Sequence, residues 1–181
     1  IDISTQQKLV NSFVNDFKQW QEKGIGLYIY SKTKGSGKTM LSSCICNELM
    51  DKYPMTTKYV RCTELIDILK AYEQQKDYSS KNPIEIFCEC PLLVLDDLGQ
   101  KQTGTEWLSD ILFRIIDARY QAKLVTITTS NIKLAELDID DRIVSRLNSL
   151  CQVIPLPEYS YRDQVVSKDE KKELFKSLGL I

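Results

Sequence analysis

The pentapeptide Gly35-Ser36-Gly37-Lys38-Thr39 stands between an apolar run, Ile25 to Tyr30, and a stretch of helical periodicity from Lys38 to Lys52. Few folds accept a strand, a glycine-rich turn and a helix opening on lysine in that order. Glycines let backbone N–H groups converge on phosphate oxygens, and the helix N-terminus adds the positive end of its dipole. Lys38 supplies a charge for the β- and γ-phosphates, and the Thr39 hydroxyl is a ligand for Mg²⁺. The expected nucleotide contacts are therefore Lys34, Gly35, Ser36, Gly37, Lys38, Thr39 and Met40. The full pattern, G-x-x-x-x-G-K-[ST], places glycine at position 32, where this chain has Lys32. Lys32 is expected to take the turn at modest strain, to turn its ammonium toward the phosphates and to slow hydrolysis.

The remaining chain alternates helices and strands. Leu9, Val10, Phe13, Phe17 and Trp20 predict one amphipathic helix over residues 4–23. Strands are expected at 25–30, 56–61, 92–95, 124–129 and 153–156, and helices at 38–52, 63–75, 84–88, 106–120, 140–150 and 168–178, with residues 77–83 polar. Strands apolar along their whole length, each followed by a helix, indicate an α/β fold with a parallel sheet covered on both faces. Ligands of such sheets bind beyond the carboxyl ends of the strands.

At those ends the chain places acids, an amide and two arginines. Asp96, after Leu92-Leu93-Val94-Leu95, is assigned to the metal together with Thr39, and Asp97 to the attacking water. Asn131, after Thr128-Thr129-Ser130, is placed to hydrogen-bond the γ-phosphate or the water, or to cap a helix over 131–137. Arg142 and Arg146 share a helix face. They either pair with Asp140, Asp141 and Glu136 or reach a neighbouring subunit's phosphate.

Composition narrows the chemistry. There is no histidine, which removes Ser-His and Cys-His pairs and imidazole metal ligands. Catalysis would have to use carboxylates, Lys, Arg, amides and a metal or nucleotide. Lys+Arg 24 against Asp+Glu 25 gives a net charge of −1, which excludes a generally basic nucleic-acid coat protein but not a local basic groove. The 6 cysteines show no C-x-x-C spacing and are expected to be reduced buried thiols. No apolar run approaches the ~18 residues of a membrane span, so the expectation is a soluble cytoplasmic protein. Because it opens on Ile1 rather than Met, the chain is expected to be the later part of a longer one.

Taken in order, Gly35-Ser36-Gly37-Lys38-Thr39, Leu92 to Gly99, Thr129-Ser130-Asn131 and Arg142 to Leu147 resemble the DnaC/IstB-type AAA+ ATPases, the bacterial and phage helicase loaders and transposition helper ATPases. The likeness covers roughly residues 24–162. It implies a three-layer P-loop NTPase (AAA+/ASCE) fold with a five-stranded parallel sheet of order 5-1-4-3-2 and no separate lid domain. Residues 1–23 would be a linker helix and 163–181 a helical tail. It further implies that Arg146 is a finger acting in trans, with Arg142 the runner-up, and that Tyr159 to Arg162 is the family's Ser-Tyr-Arg ending. Residues 62–90 resemble a helical insertion that lines a single-stranded DNA channel. Lys58, Arg61, Lys70, Lys76 and Lys81 would contact phosphates there, and Tyr59, Tyr72 and Tyr78 would stack on bases. The function so implied is an ATP-dependent helicase loader that binds Mg·ATP (or ADP) between subunits, oligomerises on ATP, and holds single-stranded DNA and the replicative helicase. A transposition helper acting on duplex DNA and a slow, nucleotide-dependent scaffold remain the alternatives. A metabolic kinase lacks a segment for its closing lid.

Overall fold

In the computed structural model, the residues described are 3–74, 81–99, 106–162 and 168–178. Five strands form one sheet: β1 (Gly26–Tyr30), β2 (Thr57–Arg61), β3 (Leu92–Leu98), β4 (Val125–Ser130) and β5 (Cys151–Pro155). Their order is β2-β3-β4-β1-β5 with every pairing parallel, as the family resemblance implies. Around it lie α1 (Ser4–Asn15), α2 (Phe17–Lys23), α3 (Lys38–Lys52), α4 (Cys62–Gln74), α5 (Pro83–Glu89), α6 (Glu106–Gln121), α7 (Asp141–Leu150) and α8 (Lys168–Ser177).

Alternation along the strands builds two cores. Leu92 and Val94, with Leu27, Ile29 and Ile127, pack toward α1, α2 and α3 through Phe13, Phe17, Ile45 and Leu49. Leu93 and Leu95, with Tyr28, face Leu65, Leu112, Ile115, Ile143 and Leu147 of α4, α6 and α7. Each fully buried leucine or phenylalanine contributes about 1.5–3 kcal/mol, so both faces hold the central strands in place. Asp96 and Asp97 project from that rigid frame.

The expected helix over 4–23 is two helices, because Asp16 leaves helical geometry at φ −108°, ψ 25°. Aspartate is a weak helix former, and the break lets Phe13, Phe17, Trp20 and Tyr53 meet in edge and tilted ring contacts. The third strand runs on through Asp96, Asp97 and Leu98. Residues 131–137 hold only a short 3₁₀ turn, Leu134–Glu136, preceded by Lys133 without a side-chain cap, so Asn131 caps no α-helix. Most of the polar stretch 77–83 lies outside the described residues. Its end is described, and there Asn82 accepts from the Ile84 N–H at 2.9 Å with Pro83 opening α5.

The 6 cysteines are free, and Cys46, Cys62, Cys90 and Cys151 are buried, whereas Cys44 is exposed and Cys88 half-buried, against the expectation of buried thiols throughout. Among the described residues, no helix is long and apolar enough to cross a membrane. Arg119, in α6, is fully buried. Its guanidinium donates to the carbonyls of Phe87 (2.9 Å), Cys90 (2.8 Å) and Val125 (2.5 Å) and to Thr126 Oγ1 (2.8 Å). It thereby ties α5 and the entries of β3 and β4 together at the end of the sheet away from the acids. Burial lowers its pKa.

Candidate nucleotide-binding site

Strand β1 delivers the loop 31–37, and Lys38 opens α3 directly. Gly35 (φ +80°) and Gly37 (φ +91°) both occupy the left-handed region that favours glycine. A Cβ added at Gly37 would meet only the tip of Met40, at 3.9 Å, so the space in front of it is open. One at Gly35 would strike Ser160 Oγ at 2.8 Å and Arg162 Cγ at 2.9 Å. That segment follows β5, and the Tyr161 N–H donates to the Gly35 carbonyl at 2.9 Å.

The loop borders a cavity of about 570 Å³, within the range of small-molecule sites. All seven expected contacts, Lys34 through Met40, line it, joined by Ser43, Asp97, Asn131, Tyr161 and Arg162. Lys38 is 6% exposed, and its Nζ donates to the Ser31 and Thr33 carbonyls (3.0 Å each) and to Ser36 Oγ (3.2 Å). Three neutral oxygens thus hold the ammonium at the wall of the cavity. Desolvation lowers its pKa against the pull of Asp97, Glu158 and Asp96, and the Arg162 charge lowers it further.

Asp96 is fully buried. It accepts from Thr39 Oγ1 at 3.1 and 3.2 Å and from Thr129 Oγ1 at 2.6 Å. A hydroxyl and a carboxylate at one point beside a phosphate-binding loop are the donor set of a magnesium site, so the residues fit both nucleotide and metal. Asp97 has φ +60° and lines the cavity.

A second, mostly apolar cavity of about 300 Å³ adjoins the first and shares Ser36, Gly37, Met40 and Tyr161 with it. Ile3, Gln6, Gln7, Val10 and Asn11 of the N-terminal segment, with Leu41, Leu156 and Pro157, complete its wall.

Lys32 differs from expectation. Among the described residues other than glycine, only Asp97 and Lys123 have positive φ, so Lys32 carries no left-handed strain. Its N–H donates to Glu158 at 2.9 Å, and its ammonium lies 3.7 Å from Glu136 rather than along the cavity. Glu158 also accepts from the Thr33 N–H and Oγ1 (2.7 Å each) and from Ser31 Oγ (3.2 Å). An acid from beyond β5 thus braces the first half of the loop and removes the need for glycine there.

Arg142 and Arg146 do not line the cavity. Arg142 pairs with Asp140 at 2.6 Å and lies 4.1 Å from the Phe113 ring centre. Arg146 Nε donates to Asp117 at 2.8 Å. Of the residues proposed for DNA, Arg61 lies 3.9 Å from Asp96 and 3.5 Å from Glu64, Lys81 pairs with Glu89, and Tyr59 hydrogen-bonds Ser42. Lys58 lies on β2 and Lys70 and Tyr72 on α4, whereas Lys76 and Tyr78 fall outside the described residues. Sequence reasoning missed Glu158, Thr129, Ser43, Tyr161 and the α1 residues. Of these, Thr129 and Tyr161 stand in the motifs named above and Val10 in the pattern of the first helix, with no contact role attached.

A glycine-rich loop entering a helix from a central strand, facing an acid two strands away across a polar strand end, defines a P-loop nucleotide-binding protein. Residues 13–169 match the IstB-like ATP binding protein family, and the chain belongs to it. It is 34% identical over 143 residues to the replicative helicase loader DnaI of Bacillus subtilis, covering 76% of this chain and 44% of that protein. It is 29% identical over 153 residues to the replicative helicase loader DnaC of Escherichia coli K12, covering 80% and 60%. The chain thus spans about half the length of these relatives. A crystal structure of the DnaC helicase loader superposes with TM-score 0.72 at 23% identity, over 87% of this chain and 92% of that one. The sheet order and this likeness agree on the fold.

Proposed function

We propose that this chain is the ATPase part of a replicative helicase loader, with residues 24–162 as the catalytic domain and its work done in the cytoplasm. The observation that carries the reading is the convergence of Lys38, Thr39, Asp97 and Asn131 on one cavity, in a chain matched along most of its length by proteins named as loaders. On nucleotide binding, Lys38 exchanges its carbonyl partners for phosphate oxygens, and the loop N–H groups from Gly35 to Thr39 close around them. The apolar second cavity accepts the base. Thr39 and Asp96 would hold magnesium, which supplies charge neutralisation on the phosphates. Asp97 orients the attacking water and accepts its proton, while Asn131 hydrogen-bonds the γ-phosphate. Arg146 reaches the phosphates of a neighbouring copy, which makes the working form a homo-oligomer on single-stranded DNA.

The test is capture of a replicative helicase by the full-length protein, with and without ATP, alongside ATP turnover with single- or double-stranded DNA. Nucleotide-sensitive capture and stimulation by single strands are expected. No capture under either condition would remove the loader reading. Stronger stimulation by duplex DNA would favour the transposition helper, and turnover no faster than that of Asp97→Asn would favour the scaffold.

A further inference from the structure

The β3–β4 ladder pairs regularly from Leu92 with Val125 to Leu95 with Thr128, then resumes at Leu98 with Ser130. One strand takes three steps where the other takes two, so an extra residue bulges out at Asp96-Asp97. Thr129 sits in that gap and is fully buried. Its one hydroxyl proton goes to Asp96 Oδ1 at 2.6 Å, and its oxygen accepts the Asp97 N–H at 3.0 Å. Asp97 meanwhile holds φ +60°, a conformation that an L-residue keeps only when its surroundings impose it.

We propose that Thr129 is a positioning residue, whose hydroxyl sets the Asp96 carboxylate beside Thr39 and clamps the bulge so that Asp97 faces the phosphate loop. This rests on the nucleotide-site reading above. The adjacent hydroxyl supplies the contrast: Thr128 Oγ1 is buried with no hydrogen-bond partner. Two neighbouring buried threonines on one strand therefore differ in that one holds the acids and the other holds nothing.

The experiment compares Thr129→Val, Thr129→Ser and Thr128→Val in the full chain. A fluorescent ADP analogue is titrated with MgCl₂ and with EDTA, and ATP turnover is measured in parallel. Thr129→Val should keep its affinity in EDTA, lose the tightening that magnesium gives, and lower kcat about tenfold or more, as expected when charge-assisted hydrogen bonds are removed. Thr129→Ser should restore both, and Thr128→Val should match the wild type. The proposal is overturned if Thr129→Val retains the wild-type magnesium response, if serine is as poor as valine, or if Thr128→Val is equally impaired. Should Thr129→Val not fold, Thr129→Ala takes its place. If both unfold while serine is intact, the hydroxyl serves the fold alone and the proposal falls. A wild-type chain that binds no nucleotide overturns the underlying site reading, and that outcome is recognised before any variant is made.

Discussion

Removing the Glu158 carboxylate should loosen the nucleotide cradle without touching a residue that lines it. Four donors converge on this side chain: the N–H groups of Lys32 and Thr33, Thr33 Oγ1 and Ser31 Oγ, at 2.7 to 3.2 Å from its carboxylate oxygens. Shielded hydrogen bonds to a charged acceptor contribute about 1.5–3 kcal/mol each. Glu158 is exposed, so water competes, and ~0.5 kcal/mol each is the sounder figure. The four together hold the loop by ~2 kcal/mol. If loop order must precede phosphate binding, Glu158→Ala raises the nucleotide Kd ~30-fold. Glu158→Gln keeps an acceptor oxygen and should fall between, about fivefold. The assay is fluorescence titration of a nucleotide analogue, with thermal melting to show that the sheet is intact.

The pH dependence adds a second constraint. The little burial Glu158 has pushes its pKa up, but hydrogen bonds from Thr33, Lys32 and Ser31 outweigh that and leave it below the ordinary glutamate range. A group depressed on folding contributes fully above its unfolded value, about 4.3. That contribution is lost as pH falls through the folded value. The gap between wild type and Glu158→Gln should therefore stay constant above pH ~5 and close only below about 4.3. An alanine variant binding within about twofold of wild type, or a gap already closed near pH ~6, would refute the reasoning.

Three further outcomes are expected. A Cβ at Gly26 would lie 1.8 Å from the Thr126 carbonyl oxygen, a backbone atom that cannot give way. Gly26→Ala should therefore force β1 off β4 and cost about 3 kcal/mol or more in urea unfolding, and an unchanged midpoint would contradict this. Arg119→Met strands three buried carbonyls and should cost about 4 kcal/mol by thermal or urea unfolding. Arg119→Lys should fail to rescue it, because an ammonium lacks the planar fork. Arg146→Ala should leave nucleotide affinity unchanged and abolish the rise of turnover with protein concentration, whereas turnover indifferent to the change would remove the finger acting in trans.

What could be read in advance was local. Lys38 and its glycines carry their chemistry within five positions, and the Leu92 to Leu95 run announces a buried strand whatever surrounds it. The sheet order came from family likeness rather than from residue patterns. Contacts between distant segments left no such trace. Glu158 braces residues more than a hundred positions earlier, and nothing in Leu156-Pro157-Glu158 marks it. Lys32 was expected to be strained because a motif was matched by position, while the backbone there is ordinary. The helix over 131–137 that stands as the alternative role for Asn131 follows from capping propensity, and the chain instead turns into α7 after one short 3₁₀ turn. Arg119 carries no signal of its own in the sequence, because burial among carbonyls is a property of three elements at once.

The buried Arg119 also has a kinematic consequence. It pins the entry ends of β3 and β4, and their exit ends, bearing Asp97 and Asn131, are tied across the bulge by the Thr129 and Ser130 hydroxyls and the resumed Leu98–Ser130 pairing. A ladder tied at both ends turns as one plate. With ~3.3 Å per residue and about five residues of lever arm, a tilt of about 3–4° about the Arg119 end carries both tips together by roughly 1 Å. A displacement at the cavity end would thus pass to the helices packed on both strands as a tilt of the pair.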